Sequence, residues 1–296
     1  MFQFFANIFG YILNIINNFV GNYGLAIILF TVLIKLLMLP LSIKQQKTMK
    51  KSAKLQEQMK ILQFKYKNDP EKLNREMMDL YKKENMSPFS GCLSAILQFI
   101  LLISIFYMVR NPLTYMEKID ATQLNVYVQQ MKDDGKEVSQ AYSEIDIVRE
   151  LEYLKDKLPE DENLRKINLN MQFLGLDLGK IPQQNLNDWT VYIIPILYII
   201  STFISMRITT SMQTKKKKNE DVIDITEDKE NKENSGEERN EMEDAMAQSN
   251  KMMSWMMPIM SVSISLVAPL GLALYWLINN VLMIFERLIL DKVIKD

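Results

Sequence analysis

The 296-residue sequence contains no histidine. That excludes a Ser-His-Asp triad, a Cys-His dyad and any His-ligated metal. It holds a single cysteine, Cys92. An intrachain disulfide and a CxxC site are therefore excluded, and Cys92 is read as a packing residue. No GxGxxG or GxxxxGK[ST] loop is present, so an ATP-driven mechanism has no phosphate cradle in this chain. The scarcest feature locally is charge. Taken whole, 35 Lys+Arg and 36 Asp+Glu give a net charge of −1, with a mean hydropathy of −0.07, as in an ordinary soluble protein. Yet the first charged residue is Lys35, and residues 252–285 carry none. Charge-poor runs of about 20 residues read as membrane spans.

The runs and the blocks between them give the organisation. Residues 1–21 are apolar except for Gln3, Asn7, Asn14, Asn17 and Asn18, which fall on one narrow helical face. This predicts an amphipathic helix lying at a membrane interface. A signal peptide would have a basic start and a small-residue cleavage site. The first span is 22–43, with Pro40 able to kink or end it. Residues 44–87 form a charged helical hairpin, with Asp69 as N-cap and Pro70 as first residue of its second arm. The second span is 88–110. Residues 111–188 form a mostly helical, acid-rich insertion, in which Ile145, Val148, Leu151, Leu154 and Leu158 keep helical spacing. The third span is 189–206, followed by a charged and partly disordered loop at 207–251. As one helix, 252–285 would be about 51 Å long, against a bilayer core of about 30 Å. Ala268-Pro269-Leu270-Gly271 divides it into spans at 252–268 and 270–290, leaving a tail at 291–296. The fold class is an all-α integral membrane protein with a five-helix core.

Basic loops stay inside. The 42–87 block carries 12 Lys/Arg against 6 Asp/Glu, and Lys215 to Lys218 lie two loops later. Both belong in the cytoplasm. The N-terminus and the 111–188 block are then outside and the C-terminus inside.

Lys35 is the leading candidate for function. A charge within a span costs about 2.5–3.5 kcal/mol on insertion scales and is functional by default. Snorkelling of its stem toward the cytoplasm is the plain alternative. Thr31 lies one turn earlier on the same face. No carboxylate lies deep in another span, so Lys35 is expected to lack an internal ion-pair partner and to face water or a transient anion. Gln98, Ser104, Ser201, Thr202, Ser205 and Asn280 add polarity inside spans; each alone is more often interhelical glue. Met256 and Met257 fall at the predicted cytoplasmic mouth, where methionine suits varied apolar partners.

Four stretches then carry a resemblance. They are NYGLAIILFTVLIKLLMLPLSIKQ at 22–45, GCLSAILQFILLISIFY at 91–107, FLGLDLGK at 173–180 and MMPIMSVSISLVAPLGLALYWLINN at 256–280. In order and spacing they resemble the YidC/Oxa/Alb family of membrane protein insertases, in its bacterial five-span form. The resemblance implies a hydrophilic groove open to the cytoplasm and to lipid. A basic residue in the first span, normally Arg and here Lys35, draws in acidic groups of the substrate. Thr31, Ser205 and Trp276 stand at groove-lining positions, with Gln98 beside them. The hairpin residues Lys47, Lys50 and Lys51, with Met256 and Met257, fall where substrate is recruited. The implied partners are newly made membrane proteins and lipid, with a Sec-type translocon and the ribosome as further candidates. No enzyme chemistry, nucleic acid, cofactor or metal is implied. Two rival readings remain open. One is a small-solute transporter using Lys35 as its ion site, although no internal repeat is visible. The other is a structural subunit of an export complex.

Overall fold

A computed structural model of the protein describes residues 2–66, 69–84, 90–220 and 262–293. Helix α1 (Phe2–Val20) is followed by α2 (Tyr23–Lys65), α3 (Pro70–Lys83) and α4 (Ser90–Arg110). Five short helices come next: α5 (Pro112–Tyr115), α6 (Ala121–Asp133), α7 (Ser143–Arg149), α8 (Leu151–Lys157) and α9 (Glu162–Lys166). A two-stranded antiparallel ladder pairs β1 (Gln172–Phe173) with β2 (Leu176–Asp177). Helices α10 (Ile193–Glu220) and α11 (Leu270–Val293) complete the described chain. Among the described residues, three stretches are long and apolar enough to cross a membrane: Tyr23–Thr48, Trp189–Ile208 and Leu270–Leu290. A shorter apolar helix covers Phe99–Arg110. The protein is an all-α membrane protein apart from that small ladder. Two units are compact by themselves. One comprises Met1–Met38, Leu97–Thr202 and Val262–Glu286; the other comprises Leu39–Ile96, Phe203–Ser261 and Arg287–Asp296.

The core of the first unit is continuous. Phe9 and Leu13 of α1 meet Tyr23, Ile27 and Phe30 of α2, Ile105 and Met108 of α4, and Ala273 and Leu274 of α11. Phe9 and Phe30 stack edge to face at 5.8 Å. The asparagine face of α1 is tethered to the 111–188 block. Asn14 donates to the Met116 carbonyl (2.9 Å), Asn17 donates to the Asn168 carbonyl (2.8 Å), and Asn7 accepts from Lys118 (2.8 Å). Gly10 permits this approach, since a Cβ there would stand 2.3 Å from the Tyr115 carbonyl oxygen. The flank formed by Phe4, Ile8, Tyr11, Ile15 and Phe19 stays exposed, with Phe19 at 90%.

The acidic excess of the block is partly structural. Glu144, 6% exposed, accepts from the Thr114 N–H (2.9 Å) and hydroxyl (2.6 Å). Asp161 caps α9 and accepts from Gln123 and Tyr127. The apolar spacing from Ile145 to Leu154 buries as the sequence indicates, but Glu150 divides the segment into α7 and α8.

Segment 168–180 ties three helix starts together. Its Asn170 carbonyl accepts the Tyr23 N–H at 3.0 Å. Its Gln172 carbonyl accepts from the Asn22 side chain at 2.7 Å. The Leu178 and Lys180 carbonyls accept the Gly271 and Leu270 N–H groups at 2.8 and 3.0 Å. Lys180 also pairs with Asp188 at 2.7 Å, and Asp188 accepts from the Thr190 N–H in the turn that leads into α10. These contacts draw Asp188 down to about 2, the Lys180 bond first and the Thr190 bonds next. The ladder's turn places Leu174 and Gly175 at φ of +49° and +80°. A type I′ hairpin asks this of both central residues, and only glycine meets it without steric cost. Thus α2, α10 and α11 all begin at this strap and leave it in the same sense.

In the second unit, α2 runs on past Pro40 to Lys65. At about 1.5 Å per residue its 43 residues far exceed a bilayer core, so span and charged arm share one helix. Asp69 caps α3 by accepting from the Lys72 N–H at 3.0 Å, and Pro70 takes the first turn. The Tyr81 hydroxyl donates to the Met59 sulfur of α2 at 3.4 Å.

Gly24→Ala tests the strap. A Cβ at Gly24 would stand 2.4 Å from the Phe173 ring. Elsewhere in a helix this change stabilises by about 1 kcal/mol. Here it is expected to destabilise by about 1–3 kcal/mol, read as a lower thermal midpoint in detergent; a raised midpoint refutes the contact. A second test uses pH. Burial pushes the Glu144 carboxyl up, and the Thr114 bonds only partly oppose it. The native state therefore binds this proton more tightly than the unfolded chain does. Its contribution is most favourable at acid pH and declines as pH rises from the ordinary Glu range through the raised native value. Glu144→Gln is expected to flatten that decline in pH-dependent unfolding; an unchanged slope contradicts the assignment.

Candidate functional site

Apolar helices that meet in lipid gain nothing from leaving water, so polar groups between them stand out. The foremost is Lys35. Its ammonium lies 3.3 Å from the Glu286 carboxylate of α11, with side-chain exposures of 21% and 14%. This corrects the expectation that Lys35 lacks an internal partner. Glu286 directly follows the charge-free run ending at Phe285, still inside the apolar stretch Leu270–Leu290. The preceding run hides how far into the helix it stands. Its place within 270–290 is the signal that could have found it.

Thr31 is 1% exposed, and its hydroxyl donates back to the Ile27 carbonyl at 2.6 Å. Such back-bonding satisfies a hydroxyl within its own helix. Thr31 thus adds polarity one turn from Lys35, although its donor is already engaged. Ser104 and Ser265 are fully buried and bond back to Ile100 and Val262 in the same manner.

A second polar knot joins α10 to α11. The Asn280 amide donates to Ser201 and Thr202, both at 3.0 Å. Those hydroxyls donate in turn to the Tyr198 carbonyl at 2.8 and 2.9 Å. Trp276, one turn before Asn280, is half-buried and stacks at 6.2 Å against Tyr198. Ser205 is buried one turn beyond Ser201. The participation of Tyr198 was not anticipated; a lone tyrosine in a span carries no distinguishing pattern.

The structure thus brings together Lys35 with Glu286, and Trp276 with the Asn280 knot through Tyr198. Lys47 and Lys51 are exposed on the later turns of α2. The side chains of Lys50, Cys92 and Gln98 lie outside the described residues, as do Met256 and Met257 and the loop at 221–251. Of the span expected at 252–268, only residues from 262 onward are described; they are helical to 267, and Pro269 precedes the start of α11. Among the described residues, a recess of about 250 Å³ lies in the 111–188 block, lined by Arg149, Asn170, Gln172 and Asp177 among others. Arg149 already pairs there with Asp177 and Asp146.

A double-mutant cycle checks the principal contact. Lys35→Met and Glu286→Gln each strand a partner and are expected to cost about 1–3 kcal/mol. The double variant is expected to recover much of the loss in unfolding titrations in bicelles. Simple additivity of the two effects would refute the pair.

The family described as 60Kd inner membrane protein matches residues 15–296. The chain is 30% identical over 286 residues to a membrane protein insertase YidC of Chlorobaculum parvum, an alignment covering 96% of this chain and 35% of that protein. It is 46% identical over 107 residues to a membrane protein insertase YidC of Francisella tularensis subsp. novicida, covering 36% of this chain and 19% of that protein. The chain therefore spans well under half the length of either relative.

Proposed function

The chain belongs to the 60Kd inner membrane protein family, a multi-pass membrane protein, and we propose that it inserts small membrane proteins and assists their folding. The observation that carries this reading is the Lys35–Glu286 pair, with the Asn280 knot on the same α11, set among apolar helices. The energetics need no ATP. Partition of an apolar span into lipid is itself favourable. What opposes insertion is the transfer of the polar tail that must cross with it. A polar lining lowers that cost along the crossing path. Lys35 supplies the attractive charge for an acidic tail. Thr31, Gln98, Ser205 and Trp276 are the positions that the family resemblance implies for that path.

The strap supports a five-span topology. Helices α2, α10 and α11 all start at it, so an odd number of crossings must separate each from the next. Helix α4 supplies one return and the 252–268 segment the other. The far ends of α2 and α10 carry Lys44 to Lys54 and Lys215 to Lys218, which assigns them to the cytoplasm. The N-terminus and the 111–188 block then lie outside, and the C-terminus inside. The exposed stripe of α1 rests in the outer interface. The hairpin at 44–87, with Lys47, Lys50, Lys51 and the Met256–Met257 pair, receives substrate. Lipid and newly made membrane proteins are the partners, with a Sec-type translocon or the ribosome joining for some substrates. The protein acts without cofactor, metal or enzyme chemistry.

The test is reconstitution of the full chain in liposomes with a photo-reactive residue at Trp276. Nascent single-span proteins are expected to crosslink there. Lys35→Arg is expected to retain insertion of acidic-tailed substrates, and Lys35→Ala to lose it. Equal insertion by wild type and Lys35→Ala would remove the charge role; solute uptake without crosslinking would favour a transporter.

A further inference from the structure

Lys35 has three N–H donors, and its one polar contact among the described residues is the single bond to Glu286. At 3.3 Å, with one carboxylate oxygen engaged, this is an exchangeable point contact, unlike the two-pronged clasp of an Arg–carboxylate pair. Neither group is sealed away: exposures of 21% and 14% leave the ammonium within reach of another anion. Yet a carboxylate already sits where an acidic substrate group would have to bind.

We propose that Glu286 is the resting counter-ion of Lys35, and that acidic residues in the translocating segment must displace it. Glu286 thereby sets how much acidity a tail must carry to be accepted. The proposal rests on the insertion reading and extends it to substrate selection. The resting pair is neutral, so the cation sits at membrane depth without the full cost of an isolated charge. An incoming carboxylate gains only the difference between its own contact and the one that Glu286 gives up. One weakly placed acid gains little; several, presented in succession on a tail, shift the exchange. Selection by competition differs from selection by a bare positive charge. A bare charge captures the first acid it meets, whereas a countered charge discriminates by number and position. Lysine suits this role, because a fork-shaped guanidinium would hold Glu286 by two bonds and exchange it less readily.

The test uses the full chain in liposomes and single-span substrates whose tails carry zero, one or three Asp residues, scored by protease protection. Wild type is expected to insert the three-Asp tail well and the one-Asp tail poorly. Glu286→Gln is expected to raise insertion of the one-Asp tail several-fold and flatten the dependence on acid number. Glu286→Asp, which keeps the charge on a shorter arm, is expected to fall between them and covers the case in which the Gln variant folds poorly. Two outcomes overturn the proposal while leaving insertion intact: an unchanged dependence on acid number in both variants, or a parallel loss for all tails. The second would mark the pair as a purely structural tie. If wild type inserts no tail, the insertion reading falls and this proposal falls with it.

Discussion

A helix start leaves four backbone N–H groups without an intrahelical acceptor. Near an apolar layer each unpaired one costs several kcal/mol. Segment 168–180 accepts one of these N–H groups at α2 and two at α11 with main-chain carbonyls, and anchors α10 through the Lys180–Asp188 pair. Because the acceptors sit on one short strap, the three helix starts are held at fixed spacing. The placement of Lys35 opposite Glu286, and of Asn280 opposite Ser201, follows from that spacing. Backbone hydrogen bonding at one end of the helices therefore sets the side-chain chemistry farther along them.

The polar groups inside the bundle divide by how they are satisfied. Thr31, Ser104 and Ser265 bond within their own helices and ask nothing of a neighbour. Asn280 instead directs its amide across to α10. Lys35 is more demanding, and only an anion answers it. Its answer comes from the last helix of the chain. Helices α2 and α11 are thus joined by charge, and α10 and α11 by neutral bonds. Neutral interhelical bonds are worth about 0.6 kcal/mol on average in membranes. Here they fix the register of α10 against α11.

Features that depend on near neighbours were legible in the sequence. The Asp69-Pro70 start of α3, the asparagine face of α1, the apolar runs of α2, α10 and α11 and the Pro269 break each depend on residues within one or two turns. What joins distant positions was not legible. Lys35 and Glu286 are 251 residues apart, and Asn22 and Gln172 are 150 apart. Composition marked Lys35 as unusual but could not name its partner, since Glu286 read as the border of a span. The asparagines of α1 read as a wetted face; in the fold three of them hold the 111–188 block, because an amide serves a carbonyl as readily as it serves water. The division of α7 from α8 at Glu150 had no breaker residue to announce it.

The separation of the strap from its clients has a consequence for how the molecule is made. Gln172 is synthesised 150 residues after Asn22. At about 5–20 residues per second that is a delay of about 8–30 s. Leu270 and Gly271 emerge later still. Through that interval α2 has its local cap, the Asn22 side chain on the Leu25 N–H, but the Tyr23 N–H lacks the Asn170 carbonyl and Lys35 lacks its carboxylate. During its own synthesis, α2 is an apolar helix with one backbone donor and one cation whose partners are made later.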